Sequence, residues 1–215
     1  MAGQPSNPVP AMTVYHPLQQ PVVVIGPQFL AQYPVDLTIA SKVLTLGEND
    51  FTVTDVNGTL IFRVKGKLFS IHDRRHLQDA AGNTLVTLKQ KIMTMHNRWQ
   101  LFRGESTEEK DLLFNVKRSS LFQLNTQLDV FLAPNTSESV PDFKVKGSWR
   151  ERSCTIYLGE SNTMIAQMYR RHTVATFLLD TDNFAVTVYP NVDCAFIVAL
   201  VVVLDEINAD RSGED

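Results

Sequence analysis

The chain has very little cysteine. Two residues, Cys154 and Cys194, stand alone among 215. They form no CxxC pair and have no histidine cluster near them, so neither a zinc site nor a disulfide framework is indicated. The expectation is two reduced thiols, with Cys194 buried because it leads an apolar run. Basic residues are missing from the first 41 positions, and Lys42 is the first of them. A secretory leader starts with positive charge ahead of an apolar region, so none is expected, and the cytoplasm or nucleus is the default location. Charge of one sign is also lacking. Twenty Lys+Arg against 23 Asp+Glu give a formal net charge of -3, which leaves no global basic field for nucleic acid. The motifs of common enzymes are absent too: no GxSxG, HExxH, P-loop or GxGxxG occurs. The protein is accordingly read as not an enzyme, without catalytic residues, metal or cofactor.

Long hydrophobic runs are nearly absent as well, and the exception is instructive. Cys194 to Leu204 is an unbroken apolar stretch of 11 residues. As a helix it covers about 16 Å, whereas a membrane span needs ~20 residues for ~30 Å of hydrocarbon. Asp205 and Glu206 end it with charge. Valine and isoleucine suit a strand, but the flanks favour a helix. Asp193 is a good N-cap, Pro190 stops any preceding strand, and Val203, Leu204 and Ile207 share a face at spacings of three and four. A helix apolar on all sides must be enclosed by protein. The central helix is expected over about 193–208, built from Asp193, Cys194, Phe196, Val198, Leu200, Val201 and Leu204.

What the chain has in quantity is alternation. Seven of ten prolines lie in the first 34 residues. Residues 1–20 are therefore expected as a flexible Pro-rich arm, because proline fixes φ and removes a donor. "VVVIG" (22–26) is either an edge strand or a segment strapped across the domain. From about Leu37 the pattern has period two. "DFTVTDVNGTLIFRV" turns at Asn57-Gly58, a strong hairpin signal. Further candidates are "TLVTLKQKIMTM", "RWQLFRG", "SLFQLN", "LDVFLA", "DFKVKGSW", "CTIYLG", "MIAQMYR", "VATFLLD" and "FAVTVYP", with "STEEKDLLF" read as a loop leading into a strand. About a dozen short strands at this spacing predict a mainly β, closed barrel, and a barrel of that size encloses room for a helix. One domain is expected over 21–210, followed by a polar tail at 211–215. A faint internal repeat accompanies it: "FRVKGK" at Phe62 matches "FKVKGS" at Phe143, and "GNTLVTLKQK" at Gly82 matches "SNTMIAQMYR" at Ser161. Two related halves of about six strands each would explain both matches.

The blocks "DVNGTLIFRVKG", "LVTLKQKIMTMHNRWQLFRGES", "DLLFNVKRSSLFQL", "DFKVKGSWRERSCTIY" and "NFAVTVYPNVDCAFIVALVVVLDEIN" resemble the plant LURP-one-related family. That family is similar in fold to the tubby C-terminal domain and to phospholipid scramblases. The resemblance implies a twelve-stranded barrel around a central hydrophobic helix. It also implies links to plant defence and to membrane-tethered signalling or transcription regulation, with no established biochemical activity. Fold analogy is weak warrant for function.

Candidate binding chemistry rests on basic pairs: Lys65/Lys67, Arg74/Arg75, Lys89/Lys91, Lys117/Arg118, Lys144/Lys146, Arg150/Arg152 and Arg170/Arg171. Lysines two apart on a strand project from one face. Lys65, Lys67, Lys89 and Lys91 are read as flanking one hairpin and converging on an anionic headgroup. Phosphoinositides, an anionic membrane surface and protein partners are the expected partners. A scramblase-like lipid transporter and an enzyme with an unrecognised site are the alternatives. His72 and His76 flank Asp73-Arg74-Arg75 and are read as part of a solvated loop rather than a metal pair.

Overall fold

Alternating apolar and polar residues put one face of each strand in contact with a core, and twelve such strands close on themselves. In a computed structural model the described residues are 18–44, 48–66, 74–91, 98–119, 126–170 and 184–212. The strands are β1 (Val35–Leu44), β2 (Glu48–Thr54), β3 (Leu60–Gly66), β4 (Arg74–Asp79), β5 (Thr84–Lys91), β6 (Arg98–Arg103), β7 (Leu112–Arg118), β8 (Thr126–Leu132), β9 (Phe143–Ser148), β10 (Ser153–Leu158), β11 (Met164–Arg170) and β12 (Phe184–Val188). Each pairs antiparallel with its sequence neighbours, and β1 pairs with β12 to complete the ring. Closure leaves no open sheet edge to template aggregation. The expected Asn57-Gly58 turn joins β2 to β3, with Gly58 at φ 81 and Asp55 Oδ1 accepting from the Asn57 and Thr59 N–H groups.

One α-helix, α1 (Cys194–Ser212), follows the last strand and fills the barrel. Phe196, Val198 and Leu200 are fully buried, Val201 and Leu204 nearly so, and Cys194 is half-buried. Phe196 meets the ring of Phe114 edge-on at 5.1 Å and that of Phe143 at 4.9 Å. Each such side chain stabilises the fold by about 1.5–3 kcal/mol on burial. Inward strand positions complete the core: Phe51, Val53, Phe62, Trp99, Val130, Phe143, Ile156, Phe184 and Val186 are all buried, as is Trp149 in the turn after β9. No helix among the described residues is long and apolar enough to cross a membrane. A small apolar cavity of about 10 Å³ lies between α1 and β1–β3, lined by residues including Ile39, Val53, Val198 and Val201. That is room for one water at most, not for a ligand.

The N-terminal stretch is a strap, not an edge strand. Val22 makes one parallel bridge to Val192, and the segment crosses the barrel mouth where α1 begins. Asp193 fixes it there. Its Oδ1 caps α1 by accepting from Phe196 N–H at 3.1 Å. Its Oδ2 accepts from the N–H groups of Val24, Ile25 and Gly26 at 3.2, 2.7 and 3.0 Å. Arg103 donates to Ile25 O from the barrel rim at 3.0 Å. At the opposite mouth the buried Glu206 of α1 pairs with Arg75.

The repeated segments occupy equivalent places in the ring. "FRVKGK" starts within β3 and "FKVKGS" forms β9, six strands on. β5 and β11 carry the second match at the same separation. Two features depart from the sequence reading. The segment of β4, expected as loop, is a strand, and Cys194, expected buried, is half-buried at the start of α1. The expected strands "SLFQLN" and "VATFLLD", and Lys67, His72 and Arg171, lie outside the described residues.

Candidate functional site

Outward positions on β3, β4 and β5 form a continuous basic surface. On β3, Phe62 and Val64 point inward, so Arg63 and Lys65 are exposed on the outer wall. On β4, Leu77 is the buried inward residue, which places Arg74, His76 and Gln78 outside. On β5, Val86 and Leu88 point inward, leaving Lys89 half-buried and Lys91 exposed on the outer wall. The register brings these together. Lys65 stands opposite His76, and Arg74 stands opposite Lys89. Lys91 stands opposite Arg98 of β6.

Lys65 and Lys89 therefore do not flank one hairpin. β4 runs between them and separates them by two strand spacings, about 10 Å. Arg74 fills the interval, since it is two residues from His76, the partner of Lys65. The unexpected strand thus makes the patch denser than the lysine pairs alone suggest. His76 Nδ1 lies 3.1 Å from Thr87 Oγ1, which orients the ring along the wall. The expected site residue Lys67 falls outside the described residues.

Two features of this wall are costly without a partner. Arg74 and Lys89 are like charges in directly opposed positions, an arrangement that destabilises a strand pair. Arg74 Nε is buried and has no hydrogen-bond partner among the described residues. Neither Lys65 nor Lys89 has an acidic partner among the described residues. A phosphate group would meet both demands, because it accepts charge-assisted hydrogen bonds from several cations at once.

Several members of the other basic pairs are already engaged. Arg75 points inward to Glu206. Lys117 pairs with Glu138 and lies 5.0 Å from the Phe131 ring centroid. Lys144 reaches Glu160 at 3.0 Å, and Lys146 sits 5.3 Å from the Tyr157 ring centroid. Arg152 stacks on Trp149 at 4.1 Å and on Phe184 at 4.9 Å. Register and pairing separate the β3–β5 wall from these clusters; the sequence spacing alone could not. Cys154 and Cys194 are free, and burial pushes both thiols from an ordinary 9.0 up to about 12. Thiols held that firmly protonated are poor nucleophiles. No group of three or more potential metal-ligating side chains occurs among the described residues.

The comparisons with known proteins agree with this architecture. A LURP-one-related protein numbered 15 from Arabidopsis thaliana is 54% identical over 188 residues, covering 87% of each chain. Protein LURP1 from the same plant is 49% identical over 190 residues, covering 88% of this chain and 92% of its own. The crystal structure of an Arabidopsis thaliana protein superposes with a TM-score of 0.68 at 48% identity, covering 86% of this chain and 98% of that one. The family model described as LURP-one-related matches residues 35–205, from the first barrel strand into the central helix, and the chain belongs to the LURP-one-related family.

Proposed function

We propose that this protein is a non-enzymatic binding module whose β3–β5 outer wall takes phosphate-bearing anions, foremost the headgroups of phosphoinositides at a membrane surface. The carrying observation is the Arg74–Lys89 pair, two like charges in register with a buried guanidinium nitrogen that has no partner among the described residues. Arg63 and Lys65 extend the same surface. The central helix occupies the barrel's middle, which directs any ligand to the wall or the rim. On this reading the protein works in the cytoplasm or nucleus, docks peripherally on membranes, and hands that position on to protein partners in signalling.

Co-sedimentation with phosphatidylcholine vesicles, with and without phosphoinositide, tests it. The unaltered protein should sediment with the phosphoinositide vesicles only. Lys65→Glu combined with Lys89→Glu should weaken that binding by about tenfold or more, since each lost charge contact contributes on the order of 1 kcal/mol. No sedimentation of the unaltered protein, or equal sedimentation of the charge-reversed variant, refutes the lipid reading.

A further inference from the structure

The segment between β8 and β9 turns back over the outer wall and sets one carboxylate among three donors. Glu138 Oε2 accepts from Arg98 of β6 at 2.8 Å and from Lys117 of β7. Glu138 Oε1 accepts from Asn115 Nδ2 at 3.4 Å, and Asn115 is itself buried. Gln100 donates to Asn115 Oδ1 at 3.4 Å, which turns the amide's NH₂ toward the carboxylate. The donors come from two adjacent strands of the rigid barrel, and the anion comes from a connection. That connection carries backbone strain at the residue concerned. Glu138 has φ 48, a left-handed conformation unfavourable for a side chain of this size, and its N–H is held by Asn135 Oδ1 at 3.2 Å. Its neighbours Ser137, Ser139 and Val140 are exposed, so little apolar burial holds the turn down.

We propose that Arg98, Lys117 and Asn115 form a second anion site, selective for a phosphate monoester group, and that Glu138 is its built-in occupant and competitor. Two fixed cations and an oriented amide suit a tetrahedral dianion better than a carboxylate, which uses two oxygens where phosphate offers three. The site adjoins the β3–β5 wall through Lys91, which stands opposite Arg98. It stands whether or not that wall binds lipid, because its residues are different ones. Removal of the carboxylate opens the site, and a ligand that displaces Glu138 frees the 133–142 connection from the wall.

The test compares the unaltered protein with Glu138→Gln, Glu138→Asp and Glu138→Gln combined with Arg98→Ala, at constant ionic strength. Glycerol phosphate is titrated by calorimetry, and vesicles of phosphatidylcholine with phosphatidic acid by co-sedimentation. Glu138→Gln should bind one of these probes about tenfold more tightly than the unaltered protein, a change of ~1.4 kcal/mol. Glu138→Asp, with shorter reach, should gain less, and Arg98→Ala should abolish the gain. The probe that shows the gain names the source of the phosphate, soluble or lipid. A Glu138→Gln variant that binds neither probe more tightly, or a gain that survives Arg98→Ala, overturns the proposal. Should Glu138→Gln fail to fold, absence of any gain in Glu138→Asp overturns it equally.

Discussion

The fully buried Asp193 accepts three backbone N–H bonds from the strap at Oδ2 and a fourth from the first turn of α1 at Oδ1. A carboxylate so placed joins a cap to a clasp. Asp193→Asn keeps the shape but replaces one acceptor by a donor, facing three N–H groups or the helix start. The expected loss is about 2–4 kcal/mol, visible as a lower urea midpoint. The thiols make a second residue-scale prediction. Both Cys154 and Cys194 are held protonated by burial up to about 12, against an ordinary 9.0 in the unfolded chain. A raised folded value means that stability is fully present below pH 9 and declines as pH climbs toward 12. Unfolding midpoints measured across that window should fall, and Cys154→Ala with Cys194→Ala should flatten the decline. Gly147 shows a different constraint. At φ 143, with Ser153 O only 2.1 Å from where a Cβ would stand, it lets β9 and β10 approach closely, and no other residue fits.

At the scale of elements, α1 is the barrel's core as well as its last segment. Val201 is 3% exposed and faces β1–β3 across the small cavity. Val201→Asp would leave a charge there without a partner, so no soluble folded protein is expected on expression. Recovery of that variant with a normal thermal transition would mean that the helix does not need its apolar surface. The helix was legible in sequence because Asp193, eleven apolar residues and Asp205-Glu206 are all local signals. β4 was not. Its sequence is Arg-Arg-His-Leu-Gln-Asp, with Leu77 as the only apolar residue. The inward position that should have completed the alternation is Arg75, tolerated there because Glu206 reaches it from α1. A helix residue 131 positions downstream (206 − 75) decides whether that strand reads as a strand. The Glu138 contacts were hidden for the same reason, since their partners lie 21 to 40 residues away.

For the whole molecule, charge is organised by location rather than by sum. The chain is formally net negative at -3, yet the β3–β5 wall gathers Arg63, Lys65, Arg74, Lys89 and Lys91 on one side. The net negative chain is repelled by an anionic surface overall, and turning this wall toward the surface offsets that repulsion. Binding to phosphoinositide vesicles should accordingly weaken steeply between low and physiological salt, where the screening length shortens from ~30 Å at 0.01 M to ~8 Å at 0.15 M. Sedimentation that is insensitive to salt would indicate apolar insertion instead. The sequence supplied the lysines of that surface, but the position of β4, and with it the density of the patch, follows only from the register.

The order of elements along the chain has a consequence for biogenesis. All twelve strands precede α1, so a growing chain makes its container before its contents. Until the helix leaves the ribosome, the inner faces of the strands have no partner but one another, and the strap from the first described residues waits for Asp193. Helix insertion and clasp formation must then wait until α1 has been made. A nascent chain of this kind exposes adhesive inner faces until α1 is made, so refolding of a chain truncated before Asp193 should end in aggregates rather than an empty barrel.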